Sequence, residues 1–122
     1  MSDAFLERCA AIDGAALGEA LFRSGAAIWV GTREVAHFDE DGSFEVRLTK
    51  SEIRRRRDEL SEDARIELRR NASDWLRCSI DDERDEAFAL ALVADAVAAN
   101  APTAPPGLPP TGKDLERRRR FH

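Results

Sequence analysis

Val30-Gly-Thr-Arg-Glu-Val-Ala-His-Phe-Asp-Glu-Asp-Gly-Ser-Phe-Glu-Val-Arg-Leu48 is the stretch whose pattern decides the fold. Asp41-Gly42 closes the acidic run Asp39–Asp41 and is a strong short-range signal for a β-hairpin turn. Downstream, Ser43 to Leu48 alternates: Phe44, Val46 and Leu48 point one way, Glu45 and Arg47 the other. Upstream, Glu34 to Phe38 reads as the partner strand. Ala27 to Val30, set off by the turn Gly31-Thr32, reads as a third strand. One face of this sheet is apolar and must be covered.

The flanks supply the cover. Thr49 and Glu52 form a capping box that opens a charged helix through Leu60. Ala64, Ile66 and Leu68 alternate with Arg65, Glu67 and Arg69, a further strand. Trp75 to Ile80 is another, with Leu76, Cys78 and Ile80 on one face. Asp82 caps a last helix with Phe88, Leu92, Val93 and Ala96 along one stripe, and Asp85 suits the dipole at its first turn. Before the hairpin, Ser2 caps a helix bearing Phe5, Leu6 and Cys9. Asp13 caps a second helical piece bearing Leu17, Leu21 and Phe22, weakened by Gly14 and Gly18. The expected class is α+β, a mostly antiparallel sheet of four or five strands packed with helices. Its second face would carry Trp29, Glu45, Arg47, Trp75 and Arg77.

All five prolines fall between Pro102 and Pro110. Too few large apolar groups accompany them to offset ordering entropy. The sequence therefore predicts an α+β domain over 1–100 and a disordered proline-rich linker and arginine-rich tail over 101–122. The chain carries a net charge of −5. After Asn100, Lys113 and Arg117 to Arg120 stand against Asp114 and Glu116, so the tail is basic and the rest more acidic than the whole. A net acidic domain repels nucleic acid on average. Cys9 and Cys78 form no C-x-x-C pair and suit buried thiols in a reducing compartment. With no apolar leader after Met1 and no membrane-length apolar run, the expected location is cytoplasmic. No phosphate-binding glycine loop, nucleophile elbow or metal-ligand cluster occurs, so no cofactor is expected.

From Trp29 to Ala98 the order of motifs resembles a small bacterial domain family labelled "luciferase family". The resemblance is carried by Gly31-Thr32-Arg33-Glu34-Val35-Ala36-His37, the acidic loop ending at Gly42, Phe44-Glu45-Val46-Arg47-Leu48, Asp74-Trp75 and the long final helix. Two departures stand out. Asp39 occupies the place of a second family histidine, and Arg69 to Ser73 has no histidine before the tryptophan strand. The layout is also similar to that of the MmcQ/YjbR-type domain.

His37 is the one histidine before the tail; oriented by Glu34 or Asp39 it would serve as a general base. Read as a calcium loop from Asp39, the chain has Phe44 where glycine is needed and Lys50 where glutamate is needed. Arg54 to Arg57 fan around a helix and find acidic partners at four-residue spacing, Glu52–Arg56, Arg54–Asp58 and Arg55–Glu59. Trp29 and Trp75 beside Arg47 and Arg77 suit stacking or docking of a flat ligand or extended peptide. Arg117, Arg118, Arg119, Arg120 and Phe121 form a tethered basic motif able to bind a partner or the acidic domain itself. The leading expectation is a non-catalytic interaction domain that binds a protein through the sheet face or the arginine tail. The alternatives are nucleic-acid binding through the arginine clusters and a small enzyme of the luciferase-family type using His37; no membrane partner is expected.

Overall fold

A computed structural model describes residues 3–22 and 25–120 of the chain. The elements run α1 (Asp3–Ala10), β1 (Ala16–Glu19), β2 (Ala26–Val30), β3 (Arg33–Phe38), β4 (Phe44–Arg47), α2 (Lys50–Arg55), α3 (Arg57–Glu62), β5 (Ile66–Leu68), β6 (Trp75–Cys78), α4 (Glu83–Asn100) and α5 (Gly112–Arg120). The strands form one antiparallel sheet of order β1-β2-β3-β4-β6-β5. The class is α+β, with six strands where four or five were expected.

The extra strand is β1. The sequence predicts a helical piece after Asp13, but Gly14 adopts φ +90 and the chain pairs with β2, Ala16 opposite Trp29 and Glu19 opposite Ala26. A short apolar run does not discriminate helix from strand by period, and here an open sheet edge supplied the hydrogen bonds. The Ser2 cap lies outside the described residues. The charged helix is broken in two at Arg56. The break moves its ion pairs from four-residue to three-residue spacing, Glu52–Arg55 at 2.7 Å and Arg56–Glu59 at 3.0 Å, and Arg56 also reaches Asp95 on α4 at 2.9 Å. Thr49 caps α2 through its hydroxyl at 3.3 Å from the Glu52 amide, at φ +88. Asp82 caps α4 as expected, accepting from the Asp85 amide at 2.9 Å.

Helices α1 and α4 cover the apolar sheet face. Phe5, Leu6 and Cys9 from α1 and Leu92, Val93, Ala96 and Val97 from α4 meet Ile28, Val30, Ala36, Phe44, Val46, Leu76 and Cys78. Phe5 sits edge-on to Phe44 with ring centres 5.3 Å apart, a favoured aromatic arrangement. Burial pushes the Cys9 thiol up to about 12 and that of Cys78 to about 11, as expected of thiols used for packing. Asn100 ends α4 fully buried and donates to the carbonyls of Arg47 and Ala96, each at 2.8 Å, which ties the helix end to β4.

The expected disorder of the C-terminal segment is corrected. Residues 101–120 fold back over the second face of the sheet and end in α5. Leu115 is 1% exposed in a cluster with Ala20, Leu21, Ala27 and Trp29. The Pro105 carbonyl accepts from the Thr32 amide at 3.0 Å. Arg119 donates to the Leu21 and Ala20 carbonyls, and Arg118 to that of Thr32. The segment is poor in apolar side chains, but the rest of the domain offers an apolar patch and unpaired carbonyls that its own composition does not reveal. Gly18 makes room for this docking. A Cβ there would lie 2.7 Å from Pro109 Cβ and 2.9 Å from Trp29 Cδ1.

Gly18→Ala should therefore loosen the C-terminal segment and cost about 1–3 kcal/mol of stability through overpacking. Denaturant unfolding together with limited proteolysis between residues 101 and 120 checks this; unchanged stability and an equally resistant segment would contradict the packing.

Candidate functional site

The second sheet face carries a row of side chains set by register. Ala27 lies opposite His37, His37 opposite Glu45, Glu45 opposite Arg77 and Arg47 opposite Trp75. Glu34 joins this face for a different reason. Residues three apart on a regular strand point to opposite faces. Here the register slips: Ile28 pairs with Ala36 but Trp29 pairs with Glu34, so Val35 is an extra residue in β3. This bulge turns Glu34 onto the side of His37.

His37 is 7% exposed and Glu45 3%. His37 Nδ1 lies 3.2 Å from Glu34 Oε1, and Nε2 lies 2.9 Å from Glu45 Oε1. Both carboxylates are held in turn. Glu34 Oε2 accepts from the Leu21 amide at 2.9 Å, and Glu45 Oε2 accepts from Arg69 at 3.0 Å with Arg77 at 3.6 Å. The His37 ring leans on Trp75, centres 5.0 Å apart and planes at 39°. Burial by itself favours the neutral ring. The hydrogen bond and charge of Glu34, followed by those of Glu45, outweigh it and hold His37 above its usual 6.5. When protonated, the ring donates one N–H to each carboxylate.

A cleft of about 670 Å³ opens over this row, lined by Leu21, Trp29, Glu34, His37, Arg47 and Trp75 among others. The volume lies in the range of small-molecule sites. Pro105 and Arg118 of the folded-back segment form part of its wall. Arg47 donates from Nη2 to Asp74 at 3.1 Å, while its Nε–H is buried without an acceptor among the described residues. Arg33 turns away to Asn100 and Thr103 at the end of α4.

The structure brings some of the sequence's candidates together and separates others. His37, Arg47 and Trp75 share the cleft. Trp29 contributes an edge but is 1% exposed, covered by Leu115 of α5 rather than open, with its indole N–H on the Glu19 carbonyl at 3.1 Å. Of the two orienting carboxylates considered for His37, Glu34 has the position and Asp39 does not; Asp39 reaches Arg77 at 3.5 Å instead. Arg77 sits outside the cleft lining, between Asp39, Asp41 and Glu45. Arg117 and Arg120 are exposed on α5, and Phe121 lies outside the described residues. Among the described residues no three histidine, cysteine or acidic side chains converge on a point that could hold a metal. No helix among them is long and apolar enough to cross a membrane. Glu45 as the second partner of His37 was missed, although the signal was present: a hairpin closed by Asp39 to Gly42 places residue 37 opposite residue 45.

A family model described as the Luciferase domain matches residues 32–96. The chain belongs to this family. The Luciferase domain span covers just over half of the chain and holds Glu34, His37, Glu45, Arg47, Arg69 and Trp75, whereas Trp29, Pro105 and Arg118 come from its flanks. No curated protein and no solved structure matches the chain. The layout likeness to the MmcQ/YjbR-type domain gains no support from a matching model.

A raised folded-state value for His37 means that its contribution to stability is complete below 6.5 and is lost as pH rises through the folded value. NMR titration of the His37 ring should give a midpoint above 6.5, and Glu45→Gln should bring it down. A midpoint at or below 6.5 in the native chain would refute the charged triad.

Proposed function

We propose that the protein is a small enzyme of the Luciferase domain type, with the cleft over His37 as its active site and a small organic molecule as its substrate. The observation that carries this reading is the buried imidazole held between two carboxylates at the floor of the cleft, inside the span matched by the family. Purely structural histidines do not need two buried acids, and bringing three ionisable groups out of water is costly unless they are fully paired. Perturbed titratable groups in a cleft are the signature of sites that move protons.

The chemistry supported is proton transfer. With the ring charged, Glu34, His37 and Glu45 hold one shared proton beyond a neutral ring and two carboxylates. A shift along either hydrogen bond leaves neutral imidazole and one carboxylic acid. A substrate group resting against Trp75 would meet an acid when the relay holds that proton and a base when it does not. Arg69 and the Leu21 amide hold the outer oxygens, so the carboxylates keep their aim while the charge moves.

The readings as a protein-binding or nucleic-acid-binding module draw less support. Trp29 and Leu115 are spent on each other, Arg119 on the Leu21 and Ala20 carbonyls, and Arg55 and Arg56 on acidic neighbours.

Incubating the full-length protein with a metabolite mixture and following consumption by mass spectrometry tests the proposal. His37→Gln should slow any conversion by about 10²–10⁴-fold, with circular dichroism confirming the fold and Trp75→Leu as a second variant that leaves the ionised groups in place. Conversion at the same rate in His37→Gln, or none with the native chain, would sink the reading.

A further inference from the structure

The cleft is electrostatically at odds with the rest of the molecule. The chain is acidic overall, with a net charge of −5. The cleft lining contains Arg33, Arg47, Arg69 and Arg118 against only Glu34 and Glu45. Those two carboxylates are already engaged, Glu34 by His37 and the Leu21 amide, Glu45 by His37 and Arg69. The positive charge is less fully used. Arg47 meets Asp74 through one terminal nitrogen, and its Nε–H is buried facing no acceptor among the described residues. Arg118 reaches the same cleft from α5 and donates one N–H to the Thr32 carbonyl, a neutral group, and no carboxylate pairs with it among the described residues. A buried donor without an acceptor is rare in native proteins, and a guanidinium presents its N–H groups in a fork that fits a carboxylate or phosphate.

We propose that Arg47 and Arg118 form an anion subsite in the cleft, which takes the carboxylate or phosphate of a small organic molecule whose body lies along Trp75. The anion would meet the guanidinium of Arg47 where it lines the cleft, and a small turn of the side chain would bring it the Nε–H, the one buried side-chain donor without a partner among the described residues. Cations focused in a cleft on an acidic protein also draw anions in from solution. The folded-back segment then has a task in the site, since α5 delivers one of the two arginines. This deepens the reading of the cleft as an active site by naming the charge class of its substrate, but the binding can be measured without any turnover.

The test is NMR-monitored titration of the full chain with benzoate, phenyl phosphate, inorganic phosphate and the neutral benzamide. Benzoate or phenyl phosphate should saturate and shift the Arg47 Nε–H and Trp75 indole N–H signals, with benzamide about tenfold weaker or worse. Saturation by inorganic phosphate as well would place the selectivity in the anion alone; saturation by the two organic anions only would assign part of it to Trp75. Either result supports the subsite. Arg47→Lys retains the charge beside Asp74 but has no Nε–H, and should weaken the anions about tenfold, as should Arg118→Gln. Equal binding of benzamide and benzoate, unchanged anion affinity in both variants, or no saturation by any anion would overturn the proposal. If the anions fail while His37→Gln still abolishes conversion, the subsite is wrong and the active-site reading stands. If they bind as expected and no conversion is found, the active-site reading fails and the subsite remains.

Discussion

His37 has a carboxylate on each ring nitrogen, Glu34 at 3.2 Å and Glu45 at 2.9 Å, and this pairing constrains everything around it. Three ionisable groups on a sheet face that is largely covered are tolerable only if each offsets the desolvation of the next. Burial pulls the imidazole towards neutrality and the two acids pull it back, so its charge is a property of the group of three. The arrangement rests on a backbone irregularity. Without the extra residue at Val35, Glu34 would point into the apolar core and His37 would keep one partner. The same bulge lets Val35 and Ala36, adjacent in sequence, both be fully buried.

The two faces of the sheet solve different problems. The face under α1 and α4 is a packed apolar core with paired aromatic rings. The other has charged side chains in its middle and an apolar patch at one end, where Trp29 and Ala27 would be exposed if nothing covered them. The C-terminal segment covers that end with Leu115 and ties itself down through backbone carbonyls, and it stops short of the charged middle. A cleft results, walled partly by sheet and partly by segment, with the imidazole at its floor.

Much of the fold was legible in local pattern. The hairpin, the alternation of Phe44 to Leu48, the Asp82 cap and the apolar stripe of α4 are short-range features in which sequence period and structure agree. The departures occur where a short segment depends on a distant partner. Ala16 to Glu19 became a strand because β2 offered an open edge. The proline-rich segment became ordered because the patch around Trp29 received Leu115. In the candidate site, Arg47 and Trp75 were legible from strand alternation, and His37 with Glu34 or Asp39 from residue type and proximity. Choosing Glu34 over Asp39 needs the bulge, and pairing Glu45 with His37 needs the register that the hairpin sets.

The sequence by itself determined that this chain is α+β, that its sheet has one apolar and one polar face, and that the chain's basic and acidic parts are segregated. Those are matters of periodicity and composition, which each residue carries wherever it ends up. Only the tertiary structure decided that one histidine would lie between two acids, that a tryptophan read as a docking residue would be sealed under the chain's own C-terminal helix, and that Arg47 and Arg118 would line one cleft. Each of these depends on residues tens of positions apart being brought within hydrogen-bond or van der Waals reach. That proximity is fixed by register, bulge and packing rather than by any local preference.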